Sequence, residues 1–211
     1  MALEVETKLN IPNAQLSEVR SLAVLQASQF LGTKLLINTY FDTPDLSLSK
    51  NKIALRIRQV NGGYIQTLKT QGKSVEGIHQ RQEWEWQIPS FELQTHLLSE
   101  IDWQNEVPSF NLAALQAIFT TNFERTIWLY EDPVAECRIE IALDRGEVSY
   151  TSADGRIFKD PLCELELELL SGPVESLLAL TNDIRRALPA LTPSDISKAQ
   201  RGYRLFDQAK G

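Results

Sequence analysis

The chain has 211 residues, of which 43% are hydrophobic and 23% charged, and its formal net charge is −7. This composition is typical of one globular domain with a sizeable core, and the acidic balance argues against nonspecific binding to nucleic acid or anionic lipid. Two cysteines are too few for a disulfide framework, no apolar stretch reaches transmembrane length, and charges stand where a signal peptide needs an apolar run. We therefore expect a cytoplasmic protein with no nucleic-acid or membrane partner.

Strand-like segments and helical patterns follow one another along the chain. The strand predictions cover residues 3–11, 34–42, 53–60, 64–70, 78–88, 121–130, 134–144, 146–152 and 161–170. The helix predictions cover residues 13–30, a segment capped by Ser109 that runs to Ile118, a helix opened by Ser171-Gly172-Pro173, and a last helix opened by Thr192-Pro193. Asn61-Gly62-Gly63 predicts a tight hairpin turn, because Asn and Gly tolerate positive φ. These patterns indicate one α+β domain of mostly antiparallel strands.

Charged residues recur at every second position in most of these strand segments. In Glu4-Val5-Glu6-Thr7-Lys8 and in the run from Glu164 to Glu168, this period puts the charges on one strand face and most apolar residues on the other. For any single strand, the pattern is also that of a solvated sheet face with weak surface ion pairs. One copy therefore does not distinguish the two interpretations.

Two properties of the whole set favour a charged interior. Three glutamates on one strand face lie about 7 Å apart in succession, and like charges so placed repel unless a cation intervenes. Bases gather on the third and fourth strand segments, whereas acids dominate the first and the last, and a solvated face more often intersperses its signs. Closing the sheet would bring acidic and basic walls across one lumen. We expect a site for a highly charged ligand together with metal ions.

The ordered set of charged motifs resembles a known family. Glu4-x-Glu6-x-Lys8 is similar to the ExExK signature of the CYTH superfamily, also called triphosphate tunnel metalloenzymes. The other motifs in the family's order are Leu55-Arg56-Ile57-Arg58, Lys69, Arg81-x-Glu83, Arg125, Glu140, Asp144, Glu164-x-Glu166-x-Glu168 and Ser197-Lys198-x-x-Arg201-Gly202-Tyr203. The resemblance implies a single CYTH domain over residues 1–211. Its expected fold is a closed eight-stranded antiparallel β-barrel, or tunnel, with a charged lumen and helices packed outside.

The subgroup that the chain most resembles is the bacterial inorganic triphosphatases, whose CYTH domain is often followed by a helical CHAD domain. The likeness rests on His79-Gln80-Arg81, Ile141-Ala142-Leu143-Asp144 and the segment from Cys163 to Leu170. We expect no CHAD domain within this sequence. The resemblance implies hydrolysis of inorganic tripolyphosphate to pyrophosphate and phosphate, by a monomer or a homodimer. The alternatives are a class IV adenylate cyclase, a thiamine or nucleoside triphosphatase, or a module that binds polyphosphate or nucleotide without turnover.

Resemblance and charge chemistry together imply roles for the motif residues. The substrate-binding candidates, which can donate hydrogen bonds to phosphate oxygens, are Lys8, Arg56, Arg58, Lys69, Arg81, Arg125 and Lys198. The candidate ligands of Mg²⁺ or Mn²⁺, expected as two ions, are Glu4, Glu6, Glu164, Glu166 and Glu168. Glu4, Glu6 and Lys8 are the catalytic candidates. Glu83, Glu140 and Asp144 are expected either to orient the bases or to form simple ion pairs with them.

Overall fold

The computed structural model describes residues 2–70, 72–75, 78–99, 101 and 111–210. Its strands are β1 (Ala2–Asn10), β2 (Gln29–Asp42), β3 (Ala54–Val60), β4 (Gly63–Lys69), β5 (Lys73–Val75), β6 (Ile78–Ile88), β7 (Gln116–Asp132), β8 (Cys137–Thr151), β9 (Ile157–Ser171) and β10 (Thr192–Pro193). Its helices are α1 (Leu16–Arg20), α2 (Ala23–Ala27), α3 (Ser47–Lys50), α4 (Thr95–Ser99), α5 (Val174–Ala187) and α6 (Lys198–Gln208). Asn13–Gln15 and Leu112–Ala114 form 3-10 turns.

Eight of these strands close into a barrel. Their order is β1-β9-β8-β7-β2-β3-β4-β6, and the ring closes because β1 pairs with β6 as well as with β9. The short strands β5 and β10 extend the sheet at β6 and β1. Neighbouring strands run antiparallel throughout the described sheet. The predicted closed eight-stranded antiparallel barrel is confirmed.

The main apolar cluster of the described residues lies outside this barrel. Alternate residues of β8 and β9, such as Ile141 and Leu167, are fully buried there against α5. That helix contributes Leu177, Leu180 and Ile184, which its periodicity places on one face. Burial of each such side chain contributes about 1.5–3 kcal/mol. Since successive strand residues point to opposite faces, packing the apolar face outward turns the charged face into the barrel.

Helix α6 packs across one end of the barrel and contacts β7, β8 and β9. It begins with a capping box, in which the Ser197 hydroxyl accepts the Gln200 N–H at 3.2 Å and the Gln200 side chain accepts the Ser197 N–H at 2.7 Å. One turn on, the Tyr203 hydroxyl donates to Asp42 Oδ2 at 2.8 Å. These bonds fix the first turn of the helix, which carries Lys198.

Gly202 permits the close approach of α6 to the barrel. A Cβ added there would lie 2.1 Å from ring atoms of Phe119. This ring cannot move away freely, because it is stacked on Tyr40 with centroids 4.6 Å apart. We expect Gly202→Ala to lower the free energy of unfolding by about 1–3 kcal/mol, measured by urea denaturation.

Gly63→Ala is the matched control for that substitution. A Cβ at Gly63 would meet only the Val60 carbonyl at 3.7 Å, an ordinary contact. Removing the backbone freedom of a glycine changes stability by less than about 1 kcal/mol where the conformation is compatible. Equal effects of the two substitutions would contradict the close packing of α6.

Several predicted boundaries are wrong. The two segments predicted over 134–144 and 146–152 are one strand, β8, which begins only at Cys137 and ends at Thr151; Gly146 lets the β7 backbone approach without interrupting the pairing, and a Cβ there would lie 2.1 Å from the Asn122 carbonyl oxygen. The helix over 13–30 is broken into a 3-10 turn, α1 and α2, and β2 already begins at Gln29. Gly32, two residues after the end of the predicted helix, lies within β2 at a register irregularity of the β2–β7 pairing and has a φ of 111°.

The two other corrections concern segments where tertiary pairing overrides the local pattern. Thr192-Pro193 does not open the last helix but pairs with β1, and α6 starts only at Lys198 after the Ser197 cap. Ser109 lies outside the described residues, while Ile118, the predicted end of its helix, belongs to β7 and lies at a register irregularity of the β2–β7 pairing. In the part of the chain that the structure describes, no helix combines the length and apolarity needed to cross a membrane.

Candidate active site

The barrel encloses a charged cavity of about 240 Å³. Seven bases line it, and they are the seven predicted substrate-binding residues Lys8, Arg56, Arg58, Lys69, Arg81, Arg125 and Lys198. Seven acids also line it: Glu4, Glu6, Glu83, Glu85, Glu140, Glu166 and Glu168. Of the predicted acids, only Asp144 and Glu164 are not part of this lining; both are buried in the wall behind it. Among the described lining residues, the two signs of charge therefore balance.

One group of acids, the inner acidic cluster, consists of Asp144, Glu164 and Glu166. Carboxylate oxygens of the three residues lie within 4.8 Å of one another. The Lys198 ammonium lies among them, 2.7 Å from Asp144 and 2.9 Å from Glu166, and it also contacts Glu164. Lys8 adds a second ammonium 2.9 Å from Glu166. Burial alone would lower the pKa of Lys198, but the three surrounding carboxylates raise it above its ordinary value.

Arg125 is the third base that offsets the negative charge of the inner acidic cluster. Its Nε and Nη2 atoms donate to the two carboxylate oxygens of Asp144 at 2.7 and 2.6 Å, and Nη2 also contacts Glu166. Such a two-point contact fixes the plane of the guanidinium. The remaining face of the group is stacked near the Phe123 ring, with 5.8 Å between Cζ and the ring centroid. Arg125 is therefore held rigidly in the lumen wall.

A second group of acids, the outer acidic cluster, consists of Glu4, Glu6, Glu140 and Glu168. Glu168 lies directly opposite Glu6 on β1 and opposite Glu140 on β8, so the three side chains share the lumen face. The Lys69 ammonium is 2.7 Å from Glu4, and Arg81 bonds both Glu4 and Glu6, at 2.8 and 3.0 Å.

Glu168 is one of the two acids of the outer cluster, with Glu140, that have no close basic partner among the described residues. Within the described ranges it makes neither a salt bridge nor a side-chain hydrogen bond. Burial, followed by the charge of Glu4 and then those of Glu140 and Glu6, raises its pKa to about 7, although Lys69 opposes this. Two directly opposed carboxylates repel each other. A cation placed at this cluster would therefore relieve an existing repulsion.

The opposite wall of the lumen carries two arginines on β3, Arg56 with a buried donor atom left free and Arg58 with no acidic partner within salt-bridge distance among the described residues. Arg56 Nη2 is 3.9 Å from both Glu83 and Glu85, and its buried Nε has no hydrogen-bond partner in the described structure. Arg58 Nε donates to the neutral Asn38 side chain at 2.9 Å. Burial, then repulsion by Arg56 and Arg125, lowers the pKa of Arg58 to about 9. An anionic ligand beside these two arginines would therefore offset the positive charge of this wall.

Two residues that line the lumen, and one that holds a lining arginine, were not assigned to the site from the sequence. Tyr40 lines the cavity and is 3% exposed; although burial opposes it, the charge of Arg56 and a hydrogen bond from it lower the pKa of the phenol. Asn38, on the same face of β2, holds Arg58, and Glu85 lines the cavity beside Glu83. The alternation of Glu83 with Glu85 was a usable signal for Glu85. Asn38 and Tyr40 stand among apolar β2 residues and have no such signal.

Residues 2–203 match the CYTH domain family. The chain is 36% identical over 213 residues to an inorganic triphosphatase from Haemophilus influenzae, and the alignment covers 97% of this chain and 55% of that protein. This chain thus spans about half the length of that curated relative.

Two solved structures share the fold. One is a Hippeastrum protein described as an adenylyl cyclase with a dominant triphosphatase activity; the TM-score is 0.63 at 21% identity, covering 98% of this chain and 96% of the other. The second is a candidate adenylate cyclase from Bacillus halodurans, with a TM-score of 0.64 at 23% identity, covering 95% and 98% of the two chains. The family match extends over nearly all of the chain, and the chain belongs to the CYTH domain family.

Proposed function

We propose that this chain is a metal-dependent triphosphatase that hydrolyses inorganic tripolyphosphate to pyrophosphate and phosphate. The observation that carries the proposal is the pair of lumen-lining arginines Arg56 and Arg58: the buried Nε of Arg56 has no hydrogen-bond partner in the described structure, and the half-buried Arg58 has a lowered pKa. Phosphate groups supply the negative charge and the acceptor oxygens that these guanidiniums lack. The name of the Haemophilus influenzae relative supports the same substrate.

The remaining lumen bases surround the same space from other strands. Lys69 on β4, Arg81 on β6 and Arg125 on β7 approach the substrate from three sides, while Lys8 and Lys198 line the cavity near the inner acidic cluster. We assign these residues to the phosphate oxygens together with Arg56 and Arg58. Bases on all sides can stabilise charge on a phosphorus under attack, because fixed donors need no reorganisation when the charge develops.

The outer acidic cluster supplies the type of donor that a divalent cation binds, although among the described residues it is the inner cluster whose three carboxylates lie within 4.8 Å of one another. Carboxylate oxygens are the ligands that Mg²⁺ and Mn²⁺ prefer, and Glu168 is already left without a cationic partner among the described residues. We assign Glu4, Glu6 and Glu168 as ligands of one ion, with Glu140 beside them. When bound, such an ion would neutralise phosphate charge and lower the pKa of a water molecule.

The inner acidic cluster is the candidate position for a second ion. Its carboxylates lie close enough together for one cation, but in this structure the Lys198 ammonium fills that role. Glu164 and Glu166 would therefore become metal ligands only if Lys198 turned from them to the substrate. We favour the outer cluster as the first ion site, because its negative charge is the less compensated of the two.

In the reaction, water attacks a terminal phosphorus of the substrate and the bond from that phosphorus to the bridging oxygen breaks. The products are phosphate and pyrophosphate. Lys8, Arg56 and Arg125 would hold the oxygens of the reacting group, so that attacking and leaving oxygens stay in line. The protein's contribution is positioning and charge stabilisation rather than a covalent step.

A nucleotide-directed activity, such as that of an adenylate cyclase, is less well supported by the lumen. Tyr40 is the aromatic residue of the described lining, and one of its faces is covered by Phe119. The other uncharged lining residues are small, namely Ala54, Thr67, Ala142, Ser197 and Ala199. Such a surface lacks the apolar pocket that a nucleobase requires.

The remaining parts of the proposal rest on composition and on the barrel. We infer that residues 1–211 act as one CYTH domain, that the protein works in the cytoplasm as a monomer or homodimer, and that it has no nucleic-acid partner. The net charge of −7 supports the last point.

A phosphate-release assay with Mg²⁺ or Mn²⁺ tests the proposed function. The panel is tripolyphosphate, ATP and thiamine triphosphate, with cyclic AMP measured in parallel. We expect kcat/KM for tripolyphosphate to exceed that for ATP by about tenfold or more, since a polar lumen gains little from a nucleoside. A chelator should abolish turnover. Production of cyclic AMP, or tight tripolyphosphate binding without hydrolysis, would replace the proposal by one of the alternatives.

A further inference from the structure

A second cavity, of about 220 Å³, adjoins the lumen at the end where α6 packs. It lies between the loop after α3, the start of β5 and β6, and the first turns of α6. Five residues line both cavities: Ala54, Lys69, Arg81, Ser197 and Ala199. The second cavity is therefore an extension of the lumen rather than a separate site on the surface.

The two cavities differ in their balance of charge. The described lining of the second cavity has four bases, Lys52, Lys69, Lys73 and Arg81, and one acid, Asp195. Lys69 and Arg81 are engaged by Glu4 and Glu6 at the shared boundary. In contrast, Lys52 and Lys73 are exposed and form no salt bridge within the described part of the chain. The excess positive charge at this end of the tunnel thus comes from Lys52 and Lys73.

The backbone at Lys52 supports a role for its side chain. Lys52 has a φ of 57° and follows Asn51, the C-cap of α3, where its N–H donates to the Ser49 carbonyl at 2.9 Å. A left-handed residue after a helix end is usually glycine, because a Cβ is unfavourable in that conformation. Lysine at this position is therefore not explained by the local backbone, while its ammonium contributes to the lining of a cationic cavity.

We propose that the second cavity binds the additional phosphate groups of linear polyphosphates longer than tripolyphosphate. This inference rests on the proposed function: the terminal groups occupy the lumen while the chain continues past Lys69 and Arg81 to Lys52 and Lys73. Water adds to the terminal phosphorus and its bridging P–O bond breaks, so each turnover releases phosphate and a chain shorter by one unit. Each further phosphate brings negative charge to a region where the described positive charge is in excess.

The test variant is Lys52→Gly combined with Lys73→Gln. Glycine suits the left-handed position, so the variant is expected to fold at least as stably as the parent. The measured quantity is the ratio of kcat/KM for tetrapolyphosphate to kcat/KM for tripolyphosphate. We expect this ratio to fall about threefold to tenfold, the range expected for partly exposed charge contacts, and the parent's ratio to fall at high salt through screening.

Lys50→Ala is the matched control. Lys50 precedes Lys52 by two residues, is 67% exposed and contacts Asp45 at 4.0 Å, but it does not line either cavity. This substitution removes one positive charge from the same surface, against two in the test variant, and should leave the ratio unchanged. An equal fall in this control would show a general charge effect and overturn the proposal.

Two other outcomes would also overturn it. If tetrapolyphosphate and tripolyphosphate lose activity in parallel, the cavity serves product release or the triphosphate itself. If the activities toward both compounds stay at the parent's values, the cavity has no contact with the chain. Should the parent hydrolyse neither compound, the proposed function fails, and calorimetry with the same two anions still decides the inference: the double variant must weaken tetrapolyphosphate binding more than tripolyphosphate binding.

Discussion

Replacing Glu4 and Glu6 together by glutamine is expected to lower kcat for tripolyphosphate about 100-fold or more, because two of the proposed metal ligands lose their charge. Glutamine keeps the size of each side chain and can still accept hydrogen bonds from Lys69 and Arg81, which now bond Glu4 and Glu6. The loss should therefore be one of metal affinity and rate rather than of folding. Activity measured across a range of metal concentrations gives the metal affinity and the rate, and thermal unfolding checks that the variant is folded.

The control for this double variant is Glu131→Gln with Glu147→Gln. These two glutamates form ion pairs with Arg138 and Lys159 at 2.9 and 2.8 Å on the outside of the barrel, where they are 56% and 39% exposed. Exposed pairs of this kind contribute about 1 kcal/mol or less. The control should keep full activity. Unchanged activity of the Glu4 and Glu6 variant would show that the metal assignment is wrong.

Lys198→Met is expected to lower the free energy of unfolding by about 3 kcal/mol or more, in addition to weakening substrate binding, because it leaves buried carboxylates without a partner. Lys198 is 6% exposed and contacts Asp144, Glu164 and Glu166. Methionine keeps most of the volume of the side chain but none of its charge. Urea denaturation at neutral pH measures the loss.

A second substitution should recover much of this stability. Glu164 is 1% exposed and has Lys198 and the more distant Lys8, at 3.9 Å, as its basic partners. Adding Glu164→Gln to Lys198→Met leaves two carboxylates, those of Asp144 and Glu166, with the two bases Arg125 and Lys8. The control is Lys159→Met on the outer surface, which should lower the free energy of unfolding by about 1 kcal/mol or less. If the double variant is no more stable than Lys198→Met, the loss comes from packing and not from uncompensated charge.

The strands of the barrel wall were largely predictable, because their signal is local. A period of two residues assigns each side chain to one face, and a shift of one residue would exchange the faces completely. That is why Glu4, Glu6 and Lys8 could be assigned to one face of β1, and Arg56 and Arg58 to one face of β3, without knowledge of the fold. Boundaries failed where local patterns were weak, as at Gly146, which reads as a break but lies within a continuous strand.

The pairing of charges inside the lumen was not predictable in the same way. Lys69 contacts Glu4 although their strands are separated by β6, and Arg125 contacts Glu166 across β8. These contacts depend on the curvature and register of a closed sheet. Nothing in the order of the motifs distinguishes them from other pairs of opposite charge.

The alternation that begins at Glu4 was enough to assign the charged residues of each strand to one face, since it depends only on backbone geometry within one strand; that this face lines a lumen depends on closure of the barrel. Which of them remain uncompensated is a property of the folded barrel. Closure places Lys198 between Asp144, Glu164 and Glu166, and leaves Glu168 without a base among the described residues. Charge compensation acts over a few ångströms between strands that are distant in sequence, so only their three-dimensional arrangement shows which acids have a close base and which do not.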